Sequence, residues 1–121
     1  MNHRNPAPGE AFLYLYRLRP GAGPEYDRRH AEVWPEIRAL IDAAGIYDYQ
    51  IWRHEEIVVC RMRARAGYSA AVAVTGLSAV QARWTASLDQ VFDTIATTDG
   101  EPLWLEEVFS HALLPDDRRI P

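Results

Sequence analysis

Along this chain the spacing of hydrophobic residues switches between a period of two and a period of about 3.6, and the order of the switches leaves few folds open. Residues 11–18 (AFLYLYRL) put Phe12, Tyr14 and Tyr16 on one face, as a strand does. Arg19-Pro20-Gly21-Ala22-Gly23 breaks that pattern. A helical stripe of Val33, Ile37, Leu40, Ile41 and Ala44 then runs through residues 24–44, with Pro24 suited to the first turn and Gly45 to the stop. Residues 46–53 (IYDYQIWR) and 57–64 (IVVCRMRA) return to alternation, and the short acidic turn His54-Glu55-Glu56 makes them a hairpin.

After Gly67 a second helical stripe, Leu77, Val80, Trp84, Leu88, Val91, Phe92 and Ile95, reaches residue 95; Gly76 and Ser78 suggest a short separate turn at its start. Residues 97–102 read as a loop and residues 103–111 (LWLEEVFSH) as the last strand. The order is βαββαβ, which predicts an α+β domain of the ferredoxin-like kind: a four-stranded antiparallel sheet with two helices on one face. The other face is expected to carry aromatics and so to be covered, by a partner subunit or by a ligand. Residues 11–113 form the expected domain, with a flexible tail of residues 1–10 before it and a polar one of residues 114–121 after it.

Pro35 breaks the local rule. Inside a helix it removes one hydrogen bond and presses on the carbonyl of Ala31. A kink near residues 31–34, or two helical segments, is therefore expected.

Composition removes several function classes. The net charge is −4, all basic residues are arginines, and they are scattered among acids. Without lysine there is no lysine Schiff base and no P-loop, and without a basic stripe nucleic acid is a poor partner. The single Cys60 allows neither an internal disulfide nor a CxxC metal site. No HxH or HExxH spacing exists, so no metal or other cofactor is expected. Residues 1–10 lack the apolar core of a signal peptide, and no apolar run approaches a membrane span, so the expected location is the cytoplasm, away from any membrane.

Functional side chains are densest in EYDRRHAEVWPE, residues 25–36. Tyr26, His30 and Trp34 recur at i, i+4 and i+8 and share one helix edge beside the Val33/Ile37 stripe. Histidine titrates near neutrality and can both give and take a proton. A tyrosine one turn away can hydrogen-bond to the same small molecule, and an indole can stack on a sugar ring. Spacing alone leaves His30 an ordinary helical histidine, and it places Tyr26 and Trp34 more readily in a core than in a site. Arg28 and Arg29 read as solvated partners of Glu25 and Glu32, and His3, His54 and His111 are weaker candidates.

The stretch from Pro20 through EYDRRHAEVWPE to Trp52 resembles the start of L-rhamnose mutarotases: a PG turn, EYxRRHxxxWPE, an AG-containing helix end and a YxI strand. QARWTASLDQVF, residues 81–92, is similar to the family's QRWW segment, and LEEVF, residues 105–109, to its closing strand. The resemblance spans about residues 11–111. It implies a dimeric ferredoxin-like α/β barrel and cofactor-free interconversion of sugar anomers. It makes His30 the proton donor and puts Tyr26, Tyr49 and Trp84 around a monosaccharide.

The chain departs from the family pattern in three places. Thr85 follows Trp84 where the family has a second tryptophan, His54 stands where it often has an acid, and the loop 97–102 is shortened. The sugar is thereby less defined than the reaction: L-rhamnose, L-fucose or another 6-deoxy or pentose sugar fits. Two other classes stay open. One is a non-catalytic sugar-binding or regulatory paralogue, motivated by Thr85. The other is a dimeric ferredoxin-like monooxygenase or haem-binding relative, since that fold hosts such functions.

Overall fold

The computed structural model describes residues 4–111. Its elements in chain order are β1 (Phe12–Leu18), α1 (Gly23–Ala31), α2 (Pro35–Ala43), β2 (Ile46–His54), β3 (Ile57–Ala64), α3 (Tyr68–Gly76), α4 (Ala79–Ser87), β4 (Phe92–Thr94) and β5 (Leu103–Trp104). Each expected helix is therefore a pair. Trp34 takes an extended conformation (φ −59°, ψ 138°), as the residue before a proline does, and Pro35 opens α2 at a position where no N–H is needed. Between α3 and α4, the Ser78 hydroxyl accepts a bond from the Gln81 N–H at 3.2 Å and caps a new helix. The separate first segment is thus a full nine-residue helix rather than a turn.

The sheet is antiparallel and runs β2-β3-β1-β4, with β5 also paired to β1. β3 pairs with β1 along its length, so β4 and β5 share the opposite edge. β4 lies beside Arg17 and Leu18, and β5 beside Tyr14 and Leu15. Two short strands thus stand where one was expected.

The stripe that read as helix to residue 95 ends at Ser87 instead. Backbone pairing wins there: the Arg19 N–H donates to the Val91 carbonyl at 2.8 Å, and the Arg19 Nε donates to the Phe92 carbonyl at 2.9 Å. The last strand is also shorter than residues 103–111. The Leu105 N–H still reaches the Leu13 carbonyl at 2.9 Å, but β1 begins at Phe12 and offers no further partner. Beyond it, Val108 and Phe109 are 96% and 80% exposed.

A bulge shapes the helix-covered face. Strand alternation alone would put Ile46 and Tyr49 on opposite faces. The register of β2 against β3 shifts between Tyr47 and Gln50, where Asp48 has φ +50°. The extra residue turns Tyr49 and Ile51 to the same side as Ile46. With Phe12, Tyr14 and Tyr16 of β1 and Val58, Cys60 and Met62 of β3, they form the floor on which the helices sit. The opposite face carries Leu13, Leu15, Val59 and Leu103, with Trp52 beside Val59 and 52% exposed.

Residues 4–10, the described part of the expected N-terminal tail, are bonded to the domain. The Gly9 N–H donates to the Ala64 carbonyl at 2.9 Å, Arg63 donates to the Gly9 carbonyl at 2.6 Å, and the Tyr68 N–H donates to the Pro6 carbonyl at 3.0 Å. The expected tail of residues 114–121 lies outside the described residues. Among the described residues, no helix is long and apolar enough to cross a membrane.

Candidate active site

Between the sheet floor and the helices lies a cavity of about 440 Å³. Tyr14, Tyr16 and Tyr49 rise from the floor, His30 enters from the last turn of α1, and Trp84 descends from α4. Aromatic walls with a few polar tips suit a ligand that is apolar on its faces and hydroxylated at its rim, as a sugar ring is.

His30 is held in one tautomer. Its Nδ1 lies 3.0 Å from the Tyr26 carbonyl, which can only accept, so Nδ1 carries the proton and Nε2 keeps its lone pair. The imidazole stacks on the Tyr26 ring (centroids 4.0 Å apart, planes at 26°) and meets Trp84 edge-on at 5.6 Å. Burial lowers its pKa below the usual 6.5; the carbonyl and Asp27 pull only weakly the other way. At neutral pH His30 is therefore neutral, with a base at Nε2.

The phenols are kept protonated. The Tyr16 and Tyr26 hydroxyls share a short hydrogen bond, and burial pushes both far above the ordinary tyrosine value. Burial likewise raises Tyr14 and Tyr49. Cys60, fully buried within this floor, has its thiol pushed up to about 11 by burial, so it is no thiolate nucleophile.

The residues singled out in the sequence do not all reach the cavity. His30, Tyr49 and Trp84 line it. Tyr26 is 2% exposed and outside its wall; it lines a second, more open recess of about 460 Å³ with Asp27, His30 and Arg53. Trp34 backs Trp84 edge-on at 5.0 Å without lining the cavity. Among the residues not nominated for the site, Tyr14, Tyr16, Tyr68 and Gln81 bring polar groups to its wall. The β1 alternation had put Tyr14 and Tyr16 on one face, but nothing in it told which face would meet the helices. Gln81 Nε2 donates to Thr85 Oγ1 at 3.1 Å, so the position where the family pattern has a second tryptophan carries a polar pair on the cavity wall.

Around the site, α1 is fixed by ion pairs. Arg53 grips Asp27 with Nε at 2.8 Å and a terminal nitrogen at 2.5 Å, tying α1 to β2. Arg28 and Arg29 both bind Glu25, whose carboxyl they hold at a pKa of about 2. They are thus solvated partners of an acid, as expected. Among the described residues, no group of three or more His, Cys, Asp or Glu converges to hold a metal ion.

Comparison with known proteins agrees in sequence and in fold. The family model for L-rhamnose mutarotase matches residues 12–111. An L-rhamnose mutarotase of Verminephrobacter eiseniae is 36% identical over 94 residues, which cover 78% of this chain and 87% of the relative. One from Mesorhizobium japonicum is 29% identical over 104 residues, covering 85% and 98%. The crystal structure of an L-rhamnose mutarotase from Formosa agariphila shares the fold, with a TM-score of 0.67 at 20% identity, over 85% of this chain and 99% of that one. The ferredoxin-like expectation is thereby met.

Proposed function

From the premise that this chain belongs to the L-rhamnose mutarotase family, we propose that it interconverts the α and β anomers of L-rhamnose or a closely related 6-deoxy sugar, with His30 as the acid–base group. The observation that carries the assignment of His30 is its geometry. A neutral imidazole, locked by the Tyr26 carbonyl at Nδ1, lines an aromatic cavity of monosaccharide-accommodating size.

Mutarotation opens the ring between the anomeric carbon and the ring oxygen, rotates the aldehyde and closes it again. Opening needs a proton removed from the anomeric hydroxyl and one delivered to the ring oxygen. His30 Nε2 takes the first; as imidazolium it is the donor when the ring recloses. A phenol or a water serves the other oxygen, and Trp84 stacks on the apolar face of the sugar. Tyr49 orients a hydroxyl from the floor, while Trp34 acts from behind by holding Trp84. General acid–base catalysis of this kind contributes roughly 10²–10⁴-fold.

The working unit in this proposal is a cytoplasmic homodimer. The outer sheet face, where Leu13, Leu15, Val59, Leu103 and the exposed Trp52 sit beside Arg17 and Arg61, is the surface a second copy would cover. Cytoplasmic placement accords with the lone buried thiol of Cys60, which needs no oxidising compartment. The comparisons favour neither the haem-binding alternative nor the regulatory one. The latter keeps one point in its favour, the Gln81–Thr85 pair on the cavity wall.

The direct test is exchange NMR of the purified protein with L-rhamnose, L-fucose and control sugars. Accelerated α/β exchange is expected, and the fastest sugar names the substrate. Binding without acceleration would favour the regulatory paralogue.

A further inference from the structure

We propose that the cavity also takes sugars with a hydroxyl on the exocyclic carbon, the 6-hydroxy counterparts of the 6-deoxy sugars, and that Gln81 and Thr85 admit them. The inference rests on the mutarotase reading and widens the substrate class of the same site. Two independent observations carry it, one of polarity and one of space.

Polarity comes from α4. Gln81 and Thr85 lie one helical turn apart, so they share an edge of the helix, and both line the cavity. Gln81 Nε2 donates to Thr85 Oγ1 at 3.1 Å. Among the described residues, that is the one hydrogen bond either side chain makes. The Thr85 O–H is left to donate and the Gln81 carbonyl to accept. A sugar hydroxyl does both. It accepts from Thr85 and donates to Gln81, closing a cycle in which each bond polarises the next. A methyl group at that place offers the pair nothing.

Space comes from the same position. The family pattern has a second indole after Trp84; Thr85 fills far less of the wall. The lining does not refill it with bulk. Gly76, at the end of α3, and Gly100, in the loop before β5, also line the cavity, and an added Cβ on either would meet nothing within 4 Å. The contact between His30 and Trp84 does not involve position 85, so the reacting end of the site is unaltered.

The test measures α/β exchange by NMR in two matched pairs, L-rhamnose with L-mannose and L-fucose with L-galactose. Within each pair the sugars differ only in one oxygen on the exocyclic carbon. The pair to read is the one whose 6-deoxy member is exchanged faster. In wild type, kcat/KM for its 6-hydroxy sugar should lie within tenfold of its 6-deoxy partner or above it. Thr85→Trp should lower that ratio about 10–10²-fold, the range in which an apolar wall rejects an added hydroxyl.

Thr85→Val keeps the shape and removes the donor, so the ratio should fall about three- to tenfold, the worth of one hydrogen bond. Thr85 is exposed on α4, so valine leaves the fold intact where tryptophan might crowd it, and thermal unfolding checks both variants. A wild-type 6-hydroxy sugar more than tenfold poorer than its partner would overturn the inference alone. So would a ratio that Thr85→Val leaves unmoved, since space without polarity would then suffice. A wild-type protein that accelerates no sugar would overturn the inference and the mutarotase reading together.

Discussion

Replacing His30 with alanine separates chemistry from folding. The imidazole makes one hydrogen bond, to the Tyr26 carbonyl, and two ring contacts, stacked on Tyr26 and edge-on to Trp84. Losing them costs about 0.5–1.5 kcal/mol each, offset by the better helix propensity of alanine at this α1 position, about half a kcal/mol. A loss of roughly 1–4 kcal/mol is therefore expected, readable as a shift in denaturant midpoint with an unchanged slope. The rate should fall about 10²–10⁴-fold, equivalent to about 3–5 kcal/mol of barrier at 1.36 kcal/mol per decade.

The assay is saturation transfer between the α and β anomeric protons of L-rhamnose, run as a pH series. Burial depresses the His30 pKa below 6.5, and in the proposed mechanism the base form starts the reaction. The wild-type rate should be flat above that value and fall as pH drops through the folded pKa. The alanine variant should lose that inflection. Stability follows the same sign: below pH 6.5 the unfolded chain protonates this histidine first, so its contribution is present above 6.5 and is lost as pH falls through the folded pKa. A folded variant with undiminished rate would refute the assignment, as would a wild-type rate that rises on acidification.

Three further outcomes are expected. Trp84→Ala removes an 8%-exposed indole wedged between His30 and Trp34, so it should cost about 3–5 kcal/mol by denaturant unfolding and weaken sugar binding by titration. Gly67→Ala forces a side chain onto φ +95°, with its Cβ 3.4 Å from Pro8 Cδ; a loss of about 1–2 kcal/mol should appear in thermal unfolding, and an unchanged melting temperature would contradict the strain. Leu15→Arg on the outer sheet face should turn the proposed homodimer into a monomer by analytical ultracentrifugation, and a wild-type monomer would dispose of that interface.

The fold was legible where local chemistry decides alone. Pro20 and Gly21 end the first strand, Pro35 divides the first helix pair, and the acidic turn after Arg53 closes the hairpin; none of these depends on distant partners. Legibility failed where a distant strand competes. Phe92 and Ile95 continue the α4 stripe at good helical spacing, but β1 offers backbone partners at Arg17 and Leu18, and pairing there is worth more than one further turn of exposed helix. The closing segment fails for the complementary reason. Its sequence reads as strand as far as residue 111, yet a strand needs a neighbour, and β1 supplies none beyond Leu13.

The site divides along the same line. His30 is legible as a candidate because an i, i+4 pattern is local, and α1 keeps the Tyr26–His30 relation whatever surrounds it. Which hydroxyls join His30 depends instead on how strands align. Tyr49 faces the cavity only because the bulge at Asp48 shifts the register by one residue; remove that residue and the pleat turns Tyr49 to the outer face. Tyr16 faces the cavity because β1 runs between β3 and the two short edge strands with its even-numbered residues toward the helices. That choice was made by Val58, Cys60 and Met62 across the ladder, not by β1 itself. Helical motifs thus announce His30, the proposed acid–base group, while the phenols come from sheet register, which no single segment encodes. A motif-based reading therefore names Tyr26 and passes over Tyr16, although of the two only Tyr16 has its side chain on the wall of this cavity.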